Sequence, residues 1–191
     1  RGYWGTESIS EASDIVLALI KANSSKVDGI KISLLDQKHE EKFRARLSDN
    51  INLYTGDDLN YMDLIEGDGQ KHSDALFGIF TAIAPAVSPA LEALARGEIE
   101  KYRNILGPTV PLSREIFKKP TQYYEAGITF LAWLNDMQSH FPMLKGMQSS
   151  RELNHYAEIF RLADKSNLLA QPDIAVSRMK SLMSVYGVEQ N

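Results

Sequence analysis

The chain has 191 residues, 43% of them apolar and 24% charged, enough for one substantial core or two small ones and unlike the composition of a disordered chain. Its 21 basic and 25 acidic residues give a formal charge of −4, which argues against a general phosphate-binding surface and sets nucleic acid aside as a partner. The absence of cysteine removes disulfides, thiolate nucleophiles and the commonest structural zinc sites, and makes a reducing compartment, the cytoplasm, the default expectation.

The first residues, Arg1-Gly2-Tyr3-Trp4-Gly5-Thr6, have no basic region followed by an apolar stretch and no initiator methionine, so they read as a fragment or a processed chain rather than a signal peptide. Ser8 and Glu11 have capping-box spacing, and Ala12, Ile15, Val16, Leu19 and Ile20 recur at three- and four-residue steps, predicting a helix from about Ser10 to Asn23. Val27 to Leu35 is short and β-branched, reading as a strand with neighbours on both faces and Lys31 in its middle. The pattern repeats with a charged helix from about Lys38 to Leu47, Phe43 and Leu47 inward, and a strand Ile51–Thr55 ended by Gly56-Asp57-Asp58. Leu59–Ile65 is a short helix, Glu66–Gln70 a turn-rich loop, and Ala75–Phe80 a third apolar strand. Strands alternating with helices predict parallel βα units.

Beyond Pro85 the strand signals stop, and helices are expected near Ser88–Arg96, Glu98–Ile105, Leu112–Phe117, Pro120–Gln138, Ser150–Ala163 and Pro172–Tyr186. The best boundary is Pro108–Pro111, dividing βα units with their first following helices (1–107) from a helical extension (108–191). The longest apolar run, Ala75–Ala93, is broken by two prolines and falls short of the roughly 20 continuous apolar residues of a membrane helix, so no membrane partner is expected. Three parallel strands cannot close a barrel and leave edges to cover, which points to the C-terminal part of a larger α/β fold.

Lys31 is the sharpest chemical feature. A lysine inside an apolar strand either points its ammonium into a cavity or buries a charge, and a desolvated amine is the nucleophile that condenses with carbonyls. The plainer reading is a lysine paired with Asp28 or Asp57. Thr55-Gly56-Asp57-Asp58 stands at the C-terminal edge of a strand, where ligands bind parallel sheets, although Asp58 also suits a helix cap. Tyr3 and Tyr54 are candidates for proton transfer, with packing the commoner use of tyrosine. The four histidines and the acidic stretch from Asp57 to Asp68 fit no metal-ligand pattern. The apolar run Tyr123–Leu134 reads as a buried helix.

Gly29-Ile30-Lys31 on one strand, Thr55-Gly56-Asp57-Asp58 after the next, Ala75–Ala82 as a third, and Pro85–Leu106 with its Ala-Arg-Gly-Glu junction together resemble the dihydrodipicolinate synthase and N-acetylneuraminate lyase superfamily. Asp28–Asp36, Tyr54–Tyr61 and Phe130–Asn135 are similar to a branch of it described as a domain of unknown function. The resemblance implies the C-terminal part, about strands six to eight, of a (β/α)8 TIM barrel followed by a helical extension. It implies Lys31 as the Schiff-base lysine and Tyr3, which precedes it by 28 positions, as the proton relay, although Tyr3-Trp4-Gly5-Thr6 departs from the family's Tyr-Asn-x-Pro context. Thr55, Gly56, Asp57 and the backbone of Gly78 and Ile79 would then line the substrate pocket, while the carboxylate-binding threonine pair belongs to a strand outside this chain. The implied activity is that of a class I aldolase or lyase on a 2-keto acid such as pyruvate, in a homo-oligomer, with no metal or organic cofactor and with the chain inactive by itself. The alternative is a non-catalytic or repurposed barrel that binds a sugar or keto acid or serves as an oligomer subunit.

Overall fold

A computed structural model describes residues 3–188, Tyr3 through its backbone alone. Two compact units divide the chain, residues 1–77 and 78–191, so the expected boundary near Pro108 falls inside the second.

In the first unit, helix α1 spans Ile9–Ala22 and starts where the Ser8 hydroxyl accepts from the Glu11 amide. Strand β1 (Gly29–Ile32), helix α2 (Gln37–Ala45), strand β2 (Asn52–Thr55), helix α3 (Tyr61–Glu66) and strand β3 (Asp74–Ala75) follow. The Asp36 carboxylate caps α2 by accepting from the His39 amide. The strands pair in parallel in the order β1-β2-β3, with Lys31 opposite Tyr54 and Tyr54 opposite Asp74. Leu53, Phe43, Leu47, Ile51, Val16 and Ile20 form the core, with Ile30 and Ile32 packed against it. Period-2 alternation thus puts Ile30, Ile32, Leu53 and Thr55 toward the helices, and Gly29, Lys31, Asn52 and Tyr54 on the other face. The expectation of neighbours on both faces of β1 is corrected here: Ile30 and Ile32 are covered, and Lys31 is exposed.

The regular elements of the second unit are all helices among its described residues: α4 (Ile79–Ala95), α5 (Ile99–Leu106), α6 (Thr109–Ile116), α7 (Tyr124–Leu134), α8 (Leu153–Lys165) and α9 (Pro172–Val185), with short 3-10 turns between some of them. The third strand expected over Ala75–Phe80 is corrected: β3 ends at Ala75, and Ile79 begins α4, a helix expected to open only at Ser88. Ile79, Ile83, Val87, Ala90 and Ala93 are buried at helical spacing, and that burial outweighs the β propensity of the short apolar run. Pro85 and Pro89 are accommodated with a kink, Ile83 leaving helical geometry at φ −115°. Helix α7 packs closely on α6 and α8, where a Cβ on Gly127 would stand 2.9 Å from Ile159 Cδ1 and 3.1 Å from Ile116 Cγ1. Phe130, Trp133, Phe141 and Tyr156 make an aromatic cluster there, so the apolar run of α7 is core, as its pattern suggested. No helix among the described residues is long and apolar enough to cross a membrane.

Beside that cluster, His155 of α8 is 2% exposed and its Nδ1 lies 2.7 Å from the Glu115 carboxylate of α6, which also binds Lys118. Its Nε2 is buried without a hydrogen-bond partner. Burial lowers the His155 pKa, and the bond to Glu115 offsets this only in part.

Candidate functional site

The face of the sheet turned away from the helices carries Lys31 at its centre, exposed, with neither a hydrogen bond nor an ion pair among the described residues. The two aspartates that could have paired with it are engaged elsewhere. Asp28 accepts from the Tyr54 hydroxyl at 2.8 Å, and Asp57 accepts from the Leu59 and Asn60 amides and the Asn60 side chain at 2.8, 3.0 and 2.8 Å. Asp28 is also the main cause of a raised Tyr54 pKa, because the phenol's hydrogen is held by a carboxylate.

Lys31 and Tyr54 are register partners on one face, yet their side chains lean in opposite directions. Tyr54 lies back over Gly29, where a Cβ would stand 2.6 Å from its Cε2. The Lys31 stem runs forward over Gly56, where a Cβ would stand 2.8 Å from Lys31 Cε and collide with Ser33 Oγ. Two glycines therefore make the two tracks, and the amine is delivered toward the C-terminal edge of the sheet, the edge at which parallel α/β sheets bind ligands. A groove of about 670 Å³ runs beside β1 mostly on the helix-facing side, bordered by Ile9, Val16, Ile30 and Phe43 among others and also by Lys31 and Ser33.

Behind the sheet is a buried polar chain. Glu40 of α2, 1% exposed, accepts from Thr55 Oγ1 at 3.0 Å and from Ser73 Oγ at 2.8 Å. Thr55 Oγ1 accepts in turn from the Asp57 amide at 3.1 Å, and Ser73 Oγ from Arg44 Nη1 at 3.0 Å. Arg44 also donates to the Leu64 carbonyl and reaches Asp68 at 3.5 Å. Desolvation raises the Glu40 pKa, with the two hydroxyl donors opposing it.

Of the residues singled out in the sequence, the structure brings Lys31 and Gly56 together. The Thr55 side chain lies instead on the helix-facing side, fully buried against Glu40, so it does not share Lys31's face. Asp57 is 1% exposed and its carboxylate closes its own turn. Gly78 and Ile79, expected on a strand, belong to the second unit as the N-cap and first residue of α4, with Ile79 fully buried. The Tyr3 side chain falls outside the described residues. Sequence reasoning missed Glu40, Arg44, Ser73 and Ser33. Glu40 and Arg44 were detectable, since positions 40, 43, 44 and 47 share the inward face of α2 with Phe43 and Leu47.

A 4-hydroxy-tetrahydrodipicolinate synthase of Alcanivorax borkumensis is 33% identical to this chain over 90 residues, which are 47% of the chain and 29% of that protein. The match thus spans less than a third of this curated relative's length. It is a distant similarity of the kind expected within a dihydrodipicolinate synthase-like superfamily. The family model described as "Protein of unknown function (DUF993)" matches residues 1–188, and with nearly the whole chain covered the protein belongs to that family.

Proposed function

We propose that this chain carries the nucleophile of a class I aldolase or lyase acting on a 2-keto acid such as pyruvate. The observation that carries the reading is Lys31: a mid-strand lysine without an ion pair among the described residues, its stem laid over Gly56. The distant similarity to a 4-hydroxy-tetrahydrodipicolinate synthase supports it.

In this reading the neutral amine attacks the keto carbon and the carbinolamine loses water to give an iminium. The iminium draws electrons from C3, whose proton leaves to form an enamine. The enamine carbon bonds to a carbonyl or imine partner, or the reverse sequence cleaves that bond, and hydrolysis frees Lys31. The protonated imine is itself the electron sink, so the chemistry calls for no metal or organic cofactor. Tyr3 shuttles the protons of carbinolamine formation and breakdown, and the backbone at Gly56 borders the substrate. The sheet is the C-terminal part of a (β/α)8 barrel whose other strands enclose the amine and supply the carboxylate site, in a homo-oligomeric protein of a reducing compartment such as the cytoplasm.

Enamine formation exchanges the C3 hydrogens of a keto acid with solvent. The full-length protein in D2O is expected to wash out the methyl protons of pyruvate, followed by NMR, and Lys31→Ala is expected to be silent. Equal exchange by both proteins, or none by a folded wild type with any of several 2-keto acids, would overturn the reading in favour of a binding or assembly role.

A further inference from the structure

We infer that Glu40 is a positioning residue of the Lys31 site: as a carboxylate it accepts from Thr55 and Ser73 at once and so holds the Gly56 turn under the lysine's stem. The inference rests on the Schiff-base reading for what the turn is held for, and on hydrogen-bond geometry for how it is held.

Each hydroxyl has one hydrogen to give. Thr55 and Ser73 both give theirs to Glu40, at 3.0 and 2.8 Å, which leaves their lone pairs facing the Asp57 amide and Arg44 Nη1. Only an ionised carboxyl accepts at both oxygens without offering a hydrogen of its own, so the direction of every bond in the chain follows from that charge. The chain ends at the turn beside Lys31. The Gly56 amide donates to the Ile32 carbonyl at 2.6 Å, the next amide donates to Thr55, and the Gly56 α-carbon is the surface on which Lys31 Cε lies. Glu40 touches neither the lysine nor any reacting atom and acts through Thr55.

A purely structural role explains this poorly. Enclosing a carboxylate costs several kcal/mol, and apolar residues of the same volume commonly stabilise such a site as well or better. The charged groups around Glu40 do not form a simple ion pair either. Arg44, on the same helix, reaches it through Ser73, Asp57 repels it from beyond β2, and Asp68 faces Arg44 from the loop before β3. What the carboxylate supplies, and an apolar side chain would not, is a fixed orientation of Thr55 at the base of the turn.

The test uses the full-length protein. Borohydride-trapped adduct at Lys31 is quantified at saturating pyruvate and one pH for wild type and Glu40→Gln, with the melting temperature and amide exchange of the peptide covering residues 53–58 measured alongside. Glu40→Gln is expected to slow trapping by about ten- to a hundredfold, the scale of a displacement near 1 Å. It is also expected to lower protection in that peptide, with the melting temperature unchanged or raised. A trapping rate within about twofold of wild type would overturn the inference. Should Glu40→Gln fail to fold, Thr55→Val cuts the same link at nearly constant volume, and wild-type trapping by it would overturn the inference equally. If the wild type traps no keto acid, the Schiff-base reading fails separately and exchange decides the positioning claim: protection lost in either variant supports it, and unchanged protection overturns it.

Discussion

Gly56 leaves no room for a methyl group. A Cβ there would lie 2.8 Å from Lys31 Cε and 2.9 Å from the Ile32 carbonyl oxygen, and the second contact is backbone that cannot swing aside. Gly56→Ala is therefore expected to cost about 1 to 3 kcal/mol of stability, by the ordinary penalty of overpacking, and to slow adduct formation by tenfold or more as the lysine leaves its track. Denaturant unfolding and borohydride trapping separate the two effects, and wild-type trapping in this variant would remove Gly56 from the site. Tyr54 gives the opposite expectation. Its hydroxyl is committed to Asp28 and its ring leans over Gly29, away from the end of Lys31. Tyr54→Phe should leave the trapping rate within about twofold of wild type, whereas a large loss would make Tyr54 part of the chemistry.

At the scale of elements, α6 and α8 are joined by a pH-sensitive contact. The His155 pKa is lowered mainly by burial, so the unfolded chain binds its proton more tightly than the folded one does. The associated stability is fully present above the unfolded value, about 6.5, and is lost as pH falls from there through the folded pKa. Melting temperatures measured between pH 8 and 5 should fall more steeply for wild type than for His155→Gln, and parallel curves would contradict the assignment. The elements also show where the sequence was informative. Helices α1, α2 and α5 to α9 announced themselves by caps, prolines and periodicity, and β1 and β2 by short β-branched runs between turns. The run from Ala75 to Phe80 was misleading because a short apolar stretch has no period of its own. The helical spacing of Ile79, Ile83, Val87 and Ala90 becomes visible only when the eye crosses Pro85. The facing of Thr55 was legible by alternation with Leu53, whereas the partnership of Glu40 with Ser73, 33 positions on, is tertiary and left no local trace.

For the whole molecule, the site's two halves differ in how far this chain supplies them. Lys31 and its glycine track are complete within residues 29–56, while among the described residues β1 pairs on one side only and the Lys31 side chain is exposed. The chain also matches under a third of the length of the Alcanivorax borkumensis synthase. In the proposed barrel, the strands beyond β1 enclose the amine and hold the substrate's carboxylate. The 191-residue chain alone is therefore expected to trap at least a hundredfold less pyruvate adduct than the full-length protein at equal concentration, and equal trapping would show that the enclosure is unnecessary. The central claim is that Lys31 is the nucleophile. The most direct measurement is intact-mass and peptide analysis of the full-length protein after incubation with pyruvate, or a panel of related 2-keto acids, and borohydride. The account predicts one reduced adduct per chain, located on Lys31 and absent from a folded Lys31→Ala protein; an unmodified wild type across the panel, or an adduct located on another lysine, would contradict it.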